Sequence, residues 1–304
     1  MTRKILVTGA CGFIGRYASK QFADAGYLVT GIGHGEWDKG EAARFGVSCW
    51  HSCDVNMESM AAYAGQPDAI VHCAGGGSVQ FSMEHPALDF ERTVSSTLAV
   101  LEYVRSRSHA SVVVYPSSAA VYGMKDDLPN RESDSLVPTS PYGAHKVMGE
   151  QLCRSYATNF GLNVAIVRLF SVYGEGLRKQ LMWDSCSRFD QGDTRFAGSG
   201  RELRDWLHVK DAARLLSIAV EHGAPTCPTV NGGSGIGVEV ADLIALLRDA
   251  YGVDTPLRFS GEVRSGDPQG YQASIAKAKA WGWSPSIDLE TGVRDYATWF
   301  RGLR

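Results

Sequence analysis

The chain has 304 residues, 44% of them apolar, enough to bury a large core in one big domain or two coupled lobes. Its 30 basic and 33 acidic residues leave a formal charge of −3, which gives no field to draw in nucleic acid or an anionic membrane, so anionic ligands must be held locally by backbone amides and single arginines. Seven cysteines without disulfide-scaffold spacing, a start (MTRKILVTGA) unlike a signal peptide, and no apolar run long enough to span a bilayer together imply a soluble cytoplasmic protein with reduced thiols.

Short β-branched runs alternate with amphipathic stretches, which predicts an α/β fold: a doubly wound parallel sheet with helices on both faces. The expected strands are KILVT (4–8), YLVTGI (27–32), VSCW (47–50), AIVHCA (69–74), SVVVYPS (111–117) and NVAIVRLF (163–170). Gly9, Gly12 and Gly15 follow the first strand and open a helix predicted from Phe13 to Ala25, with Gly26 at its left-handed end. In that context the first glycine permits a tight turn, the second lets backbone approach a pyrophosphate, and the third lets helix and strand pack closely. The second strand runs into GIGHGEW at 31–37, where a dinucleotide-binding chain usually places an acid for the ribose. Cys49, His51 and Cys53 look ligand-like, but no fourth ligand stands at a recognisable spacing, so no metal is expected.

Further along, helices are predicted over Ala87 to Ser106 and Ser140 to Phe160. In SPYGAHK, Tyr142 and Lys146 are four residues apart and share a helical face, where the ammonium is expected to pull the phenol below its ordinary pKa of about 10. Ser118, at the end of a central strand, could hydrogen-bond the same substrate oxygen, with Ser117 the other candidate. Beyond about residue 170 the alternation weakens into loops rich in glycine and charge, followed by helices from Glu239 to Tyr251 and Leu289 to Phe300. A Rossmann-type domain over 1–170, with about 207–232 returning to it, and a smaller loop-rich lobe from 171–206 and 233–304 are therefore expected.

The spacing GxxGxxG in TGACGFIG resembles the extended short-chain dehydrogenase/reductase superfamily, the NAD-dependent epimerase/dehydratase branch that acts on nucleotide sugars. The resemblance runs from Lys4 to the tail after WGWSP (281–285), through PSSAAVYG, SPYGAHK and RDWLHVKD. It implies a catalytic set of Ser118, Tyr142 and Lys146, with Tyr142 moving a proton while hydride passes between nicotinamide and a sugar carbon. It implies cofactor contacts from Gly9, Gly12, Phe13, Ile14 and Gly15, from Asp54 and Val55 near the adenine, from Ala74 and Gly75 in HCAG, and from Tyr142 and Lys146. Arg204 and Arg264 (in VRSGDP) match arginines that grip the substrate's diphosphate, Ser171 and Thr93 replace usual asparagines, and Ser78 is placed to touch the sugar. Sugar 4,6-dehydratases carry an Asp-Glu pair after the Ser or Thr; Ala119 and Ala120 stand there, which argues against dehydration.

These features imply an NAD(P)-dependent oxidoreductase acting on a nucleoside-diphosphate sugar, at C4. Gly33 occupies the ribose-acid position, and the absence of that carboxylate removes a barrier to NADP, with His34 and Lys39 near enough to meet its phosphate. Glu36 and Asp38 are the counterweight that would restore an NAD contact. This tilts the expectation to NADP and a 4-keto-sugar reductase, the alternative being a 4-epimerase that retains NAD and, more distantly, a non-catalytic nucleotide-binding scaffold. The resemblance implies that the two long helices form a homodimer face, as in related proteins; the apolar residues on offer there, Leu98, Leu101 and Met148, could equally be core.

Overall fold

The computed structural model describes residues 2–125, 127–261 and 270–303. Six strands, β1 (Lys4–Thr8), β2 (Leu28–Gly33), β3 (Val47–Ser52), β4 (Ala69–His72), β5 (Val112–Ser118) and β6 (Val164–Leu169), form one parallel sheet with the strand Thr229–Gly232. Their spatial order is 229–232, β6, β5, β4, β1, β2, β3. The chain winds outward from β1 through β2 and β3, then returns to lay β4 on β1's other side. That reversal opens a crevice at the carboxyl ends of β1 and β4.

Residue alternation sorts the core onto two faces. Ile5 and Val7 of β1 point to one face, where they meet Ala18 and Phe22 of α1 (Phe13–Asp24) and Leu215 and Leu216 of the helix Val209–His222. Leu6 points to the other, with Val100 and Leu101 of the helix Ser96–Arg107 and Cys153 and Ala157 of the helix Pro141–Phe160. The last of these starts sharply because Pro141 fits the first turn and Ser140 Oγ accepts from Gly143 N at 3.2 Å.

The helix expected unbroken over 87–106 is interrupted: a helical turn Pro86–Phe90 leads into a π-turn, Glu91–Ser95, before the regular helix begins. Over this stretch Ser96 Oγ donates to the Arg92 carbonyl at 2.6 Å and Thr97 Oγ1 to that of Thr93 at 2.5 Å, satisfying carbonyls of the irregular turn. Helices over Lys39–Arg44, Met57–Tyr63, Val79–Glu84, Gln180–Phe189 and Val209–His222 were not anticipated, nor was the edge strand Thr229–Gly232.

Past β6, the strands Ser171–Tyr173, Leu203–His208 and Gly237–Glu239 form a small sheet. The helices Gln180–Phe189, Val240–Tyr251 and Leu289–Arg301 share their own core around Phe189, Leu247, Tyr296 and Phe300. Two buried carboxylates fasten loops here. Asp205 accepts from the amides of Ser234, Gly235 and Ala273, and Asp211 from those of Ser286 and Ile287. Among the described residues no helix is long and apolar enough to cross a membrane.

Candidate active site

A cleft of about 820 Å³ runs along the carboxyl ends of the strands. At one end lies the glycine loop. Gly9 has φ of +67°, and a β-carbon there would come 2.7 Å from Ala74 N; one at Gly15 would collide with the Gly9 carbonyl. The chain turns at the first glycine and presses α1 onto β1 at the third, as the spacing predicts. Gly12 caps α1 with no side chain over it, leaving the first-turn amides facing the cleft that Gly12, Phe13, Ile14 and Gly15 line. This cradle, with a helix N-terminus uncapped by any side chain and glycines at its turn, fits the pyrophosphate of a dinucleotide.

Ser118, Tyr142 and Lys146 line the same cleft. Ser118 Oγ accepts from Ala120 N at 3.2 Å, and its side chain reaches the Tyr142 phenol. Ser117 also borders the cleft, but it is buried and its hydroxyl lies beside Glu150. Lys146 is 6% exposed, and its ammonium donates to the Pro116 carbonyl at 3.0 Å, 5.9 Å from the Tyr142 ring centre. The expected depression of Tyr142 by Lys146 is therefore corrected. Burial raises the phenol's pKa, the Ser118 hydrogen bond only partly opposes it, and Asp89 adds to the rise. Lys146 itself is lowered to about 8 by burial, against the pull of Cys73, Asp89 and Glu150. His72 of HCAG ties β1 to the helix Ser96–Arg107, bonding Thr8 Oγ1 at 2.7 Å and Ser96 Oγ at 3.2 Å, and burial, aided by Lys146, lowers it to about 3. It is a neutral strut.

Gly75 and Ser78 line the cleft beside this group, as does Ser171. Ser78 Oγ accepts from Phe81 N at 3.3 Å and so also caps the helix Val79–Glu84. Thr93 is buried and takes the Gly76 amide at 2.8 Å, so in this chain it holds the run of Gly75, Gly76 and Gly77. Arg204 lies at the lobe end, donating to the Leu203 carbonyl at 2.8 Å and lying 5.7 Å over the Tyr271 ring. Arg264 lies outside the described residues. Lys179, Asp184, Arg188, Phe196 and Trp206 also line the cleft and escaped the sequence reading, because no local spacing marks them.

Ala74 backs Gly9, and further along the sheet Val55 packs into the core below β2. Asp54 and His34 form a pair with each other, 3.0 Å apart and both exposed. The histidine assigned to a 2′-phosphate is thus engaged by the acid assigned to the adenine. Gly33 closes the end of β2. A β-carbon there would stand 3.0 Å from the Trp50 ring and 3.2 Å from Gly9 Cα, so Trp50 occupies the space of the missing side chain. Asp38 caps the helix Lys39–Arg44, accepting from Glu41 N at 2.9 Å, Lys39 is exposed in its first turn, and Glu41 pairs with Arg16 at 3.0 Å. Cys49 and His51 lie on the same face of β3, with Sγ and Nε2 3.2 Å apart; among the described residues no group of three or more His, Cys, Asp or Glu could hold a metal ion.

Comparison with known proteins gives the same picture. The model of the NAD-dependent epimerase/dehydratase family matches residues 5–231. A UDP-glucose 4-epimerase of Corynebacterium glutamicum is 30% identical over 313 residues, spanning 96% of this chain and 94% of its own. The Thermotoga maritima UDP-glucose 4-epimerase, solved with UDP-glucose, superposes with a TM-score of 0.89 at 25% identity over 99% of both chains. A UDP-glucose 4-epimerase of Stenotrophomonas maltophila, solved with NAD and formylated UDP-arabinopyranose, superposes with a TM-score of 0.87 at 26% identity over 99% of this chain and 98% of its own. With a seven-stranded Rossmann-type sheet and a family match over most of its length, the chain belongs to the NAD-dependent epimerase/dehydratase family of the extended short-chain dehydrogenase/reductases.

Proposed function

We propose that this protein is a UDP-hexose 4-epimerase that keeps NAD bound. The observation that carries the reading is the meeting, in one cleft, of the glycine cradle, Ser118, Tyr142, Lys146 and Arg204, in a chain alignable along its length with UDP-sugar 4-epimerases. The reductase expectation rested on Gly33 and loses its footing. Trp50 accounts for the glycine by packing, and His34 faces Asp54. The Stenotrophomonas relative, moreover, carries NAD.

Gly9, Gly12, Phe13, Ile14 and Gly15 would hold the pyrophosphate, Asp54 and Val55 the adenosine end, and Ala74, Gly75 and Lys146 the nicotinamide end. Bound NAD would supply a hydride acceptor and donor for the sugar carbon. Tyr142 takes the proton of the sugar's O4 as the alcohol is oxidised and returns it as the ketone is reduced, while Ser118 hydrogen-bonds the same oxygen. A Lys146 pKa of about 8 leaves it mostly an ammonium ion at neutral pH, poised to favour phenolate when Tyr142 gives up its proton. Arg204 and Arg264 fork onto the diphosphate, and Ser78 and Ser171 contact the sugar. Ala119 and Ala120 offer no carboxylate for eliminating water. In this reading residues 1–170 and about 207–232 carry the cofactor and the remainder the substrate. Leu98 and Met148, 43% and 41% exposed on neighbouring helices, form part of a homodimer face, whereas Leu101 is core.

The test is interconversion of UDP-glucose and UDP-galactose by purified protein without added cofactor, followed by NMR, with the bound dinucleotide extracted and identified. Conversion with NAD recovered is expected. No interconversion, with stoichiometric consumption of NADPH on a 4-keto sugar, would restore the reductase reading; turnover of neither would restore the scaffold.

A further inference from the structure

His145 stands between Tyr142 and Lys146 in sequence, yet it is buried and its Nδ1 lies 2.6 Å from Asp89 Oδ2. Asp89, on the turn Pro86–Phe90, is fully buried, and the Phe90 ring stands edge-on to the imidazole at 5.5 Å. The carboxylate's other oxygen has no hydrogen-bond partner among the described residues and rests against Gly76, where any β-carbon would collide with it. A buried carboxylate oxygen without a partner is costly, which calls for a compensating use. The reaction outlined above employs neither residue.

Lys146 supplies that use: its Nζ stands 3.7 Å from where a β-carbon on Gly75 would lie, next to the Gly76 position against which the Asp89 oxygen rests. The groups around Lys146 are His72 and Cys73 at the end of β4, Tyr115 on β5, Tyr142, Glu150 and Cys153 on its own helix, and Asp89. On the segment packed against that helix, Glu84 and Glu91 are exposed and Arg92 lies over Phe81. Of the two buried acids, Glu150 is committed to Arg168 and Arg154. Among the described residues the Asp89 side chain is paired only with the imidazole. We propose that Asp89 and His145 form a positioning pair, a buried counter-charge clamped between the catalytic helix and the run of Gly75, Gly76 and Gly77, that keeps Lys146 an ammonium ion while Tyr142 exchanges its proton. The proposal rests on the role given to Tyr142 above. The carboxylate favours the charged lysine and opposes the phenolate, so its removal makes both groups release protons at lower pH.

The test is Asp89→Asn in the full chain, with Asp89→Ser as a second uncharged variant should the first not fold. One readout needs no substrate: the near-ultraviolet phenolate titration, each protein measured against its own Tyr142→Phe counterpart to isolate Tyr142. The midpoint should fall by about half a unit or more in the variant. The other readout is the pH profile of kcat on UDP-glucose, in which both limbs should move towards acid. An unmoved Tyr142 midpoint, or a kcat lowered by the same factor at every pH, would overturn the proposal and leave the pair a packing feature. Absence of UDP-sugar turnover would defeat the epimerase reading alone, because the phenolate titration still decides this one.

Discussion

Glu150 lies one turn beyond Lys146 on the catalytic helix and is fully buried. It receives the Arg168 guanidinium in a fork, Nε to Oε1 at 2.9 Å and the terminal nitrogen to Oε2 at 2.8 Å. Arg168, 2% exposed on β6, completes its set with the Tyr122 hydroxyl at 3.0 Å and the Glu132 carbonyl at 3.2 Å. Glu150→Gln keeps the shape and removes the charge, stranding a buried guanidinium, a change that costs about 3–5 kcal/mol. At roughly 2 °C per kcal/mol for a chain of this size, the melting temperature should drop by about 6–10 °C, read by circular dichroism at a fixed scan rate. The double variant Glu150→Leu with Arg168→Met removes both buried charges and leaves only Arg154, whose partly exposed guanidinium water can solvate, so it should recover at least half of the loss. A drop of about 2 °C or less, or a double variant as unstable as the single, would refute the reasoning. The pH dependence follows from the same pair. Burial pushes the Glu150 carboxyl up, but the hydrogen bonds and charge of Arg168 outweigh it and hold the group below its usual value. A depressed folded-state value means that the contribution is complete above the unfolded value of about 4.3 and is lost as pH falls through the folded one. The gap between parent and variant should therefore close in acid.

Tyr142→Phe should lower kcat by about 10²–10⁴-fold with the dinucleotide content unchanged, and turnover at the parental rate would remove Tyr142 from the mechanism. Gly15→Ala drives a β-carbon into the Gly9 carbonyl, so the purified variant should carry at least about tenfold less extractable dinucleotide, a loss of about 1.4 kcal/mol of binding; parental content would show that the cradle does not need this contact. Leu98→Asp together with Met148→Glu should halve the mass found by light scattering, and a monomeric parent would dismiss the dimer.

The parallel sheet was legible because it is written locally. Each central strand is a short β-branched run, and α1 announces itself by three glycines and an apolar stripe over one continuous segment. The same holds for Tyr142 and Lys146, whose spacing of four suffices to put them on one wall of the cleft. What escaped was nonlocal. Trp50 closes over Gly33 from another strand, Asp205 gathers amides from 29 to 68 positions away, and Asp89 meets His145 across 56 residues. None of these contacts has a periodicity. The Tyr142 environment was misjudged for a related reason, since spacing reports that an ammonium is near but not that the chain turns it to the Pro116 carbonyl and buries the phenol.

Gly75, Gly76 and Gly77 line the cleft in succession, presenting main chain where other segments present side chains. Bare peptide edges cannot tell an axial hydroxyl from an equatorial one by bulk, because they offer no protruding group to collide with either. Under the reaction proposed above, the two C4 configurations then bind with comparable affinity, so each sugar competes with the other for the same site. No catalyst alters the equilibrium ratio, which the sugars' own stabilities in water fix; comparable binding decides how strongly each form slows conversion of the other.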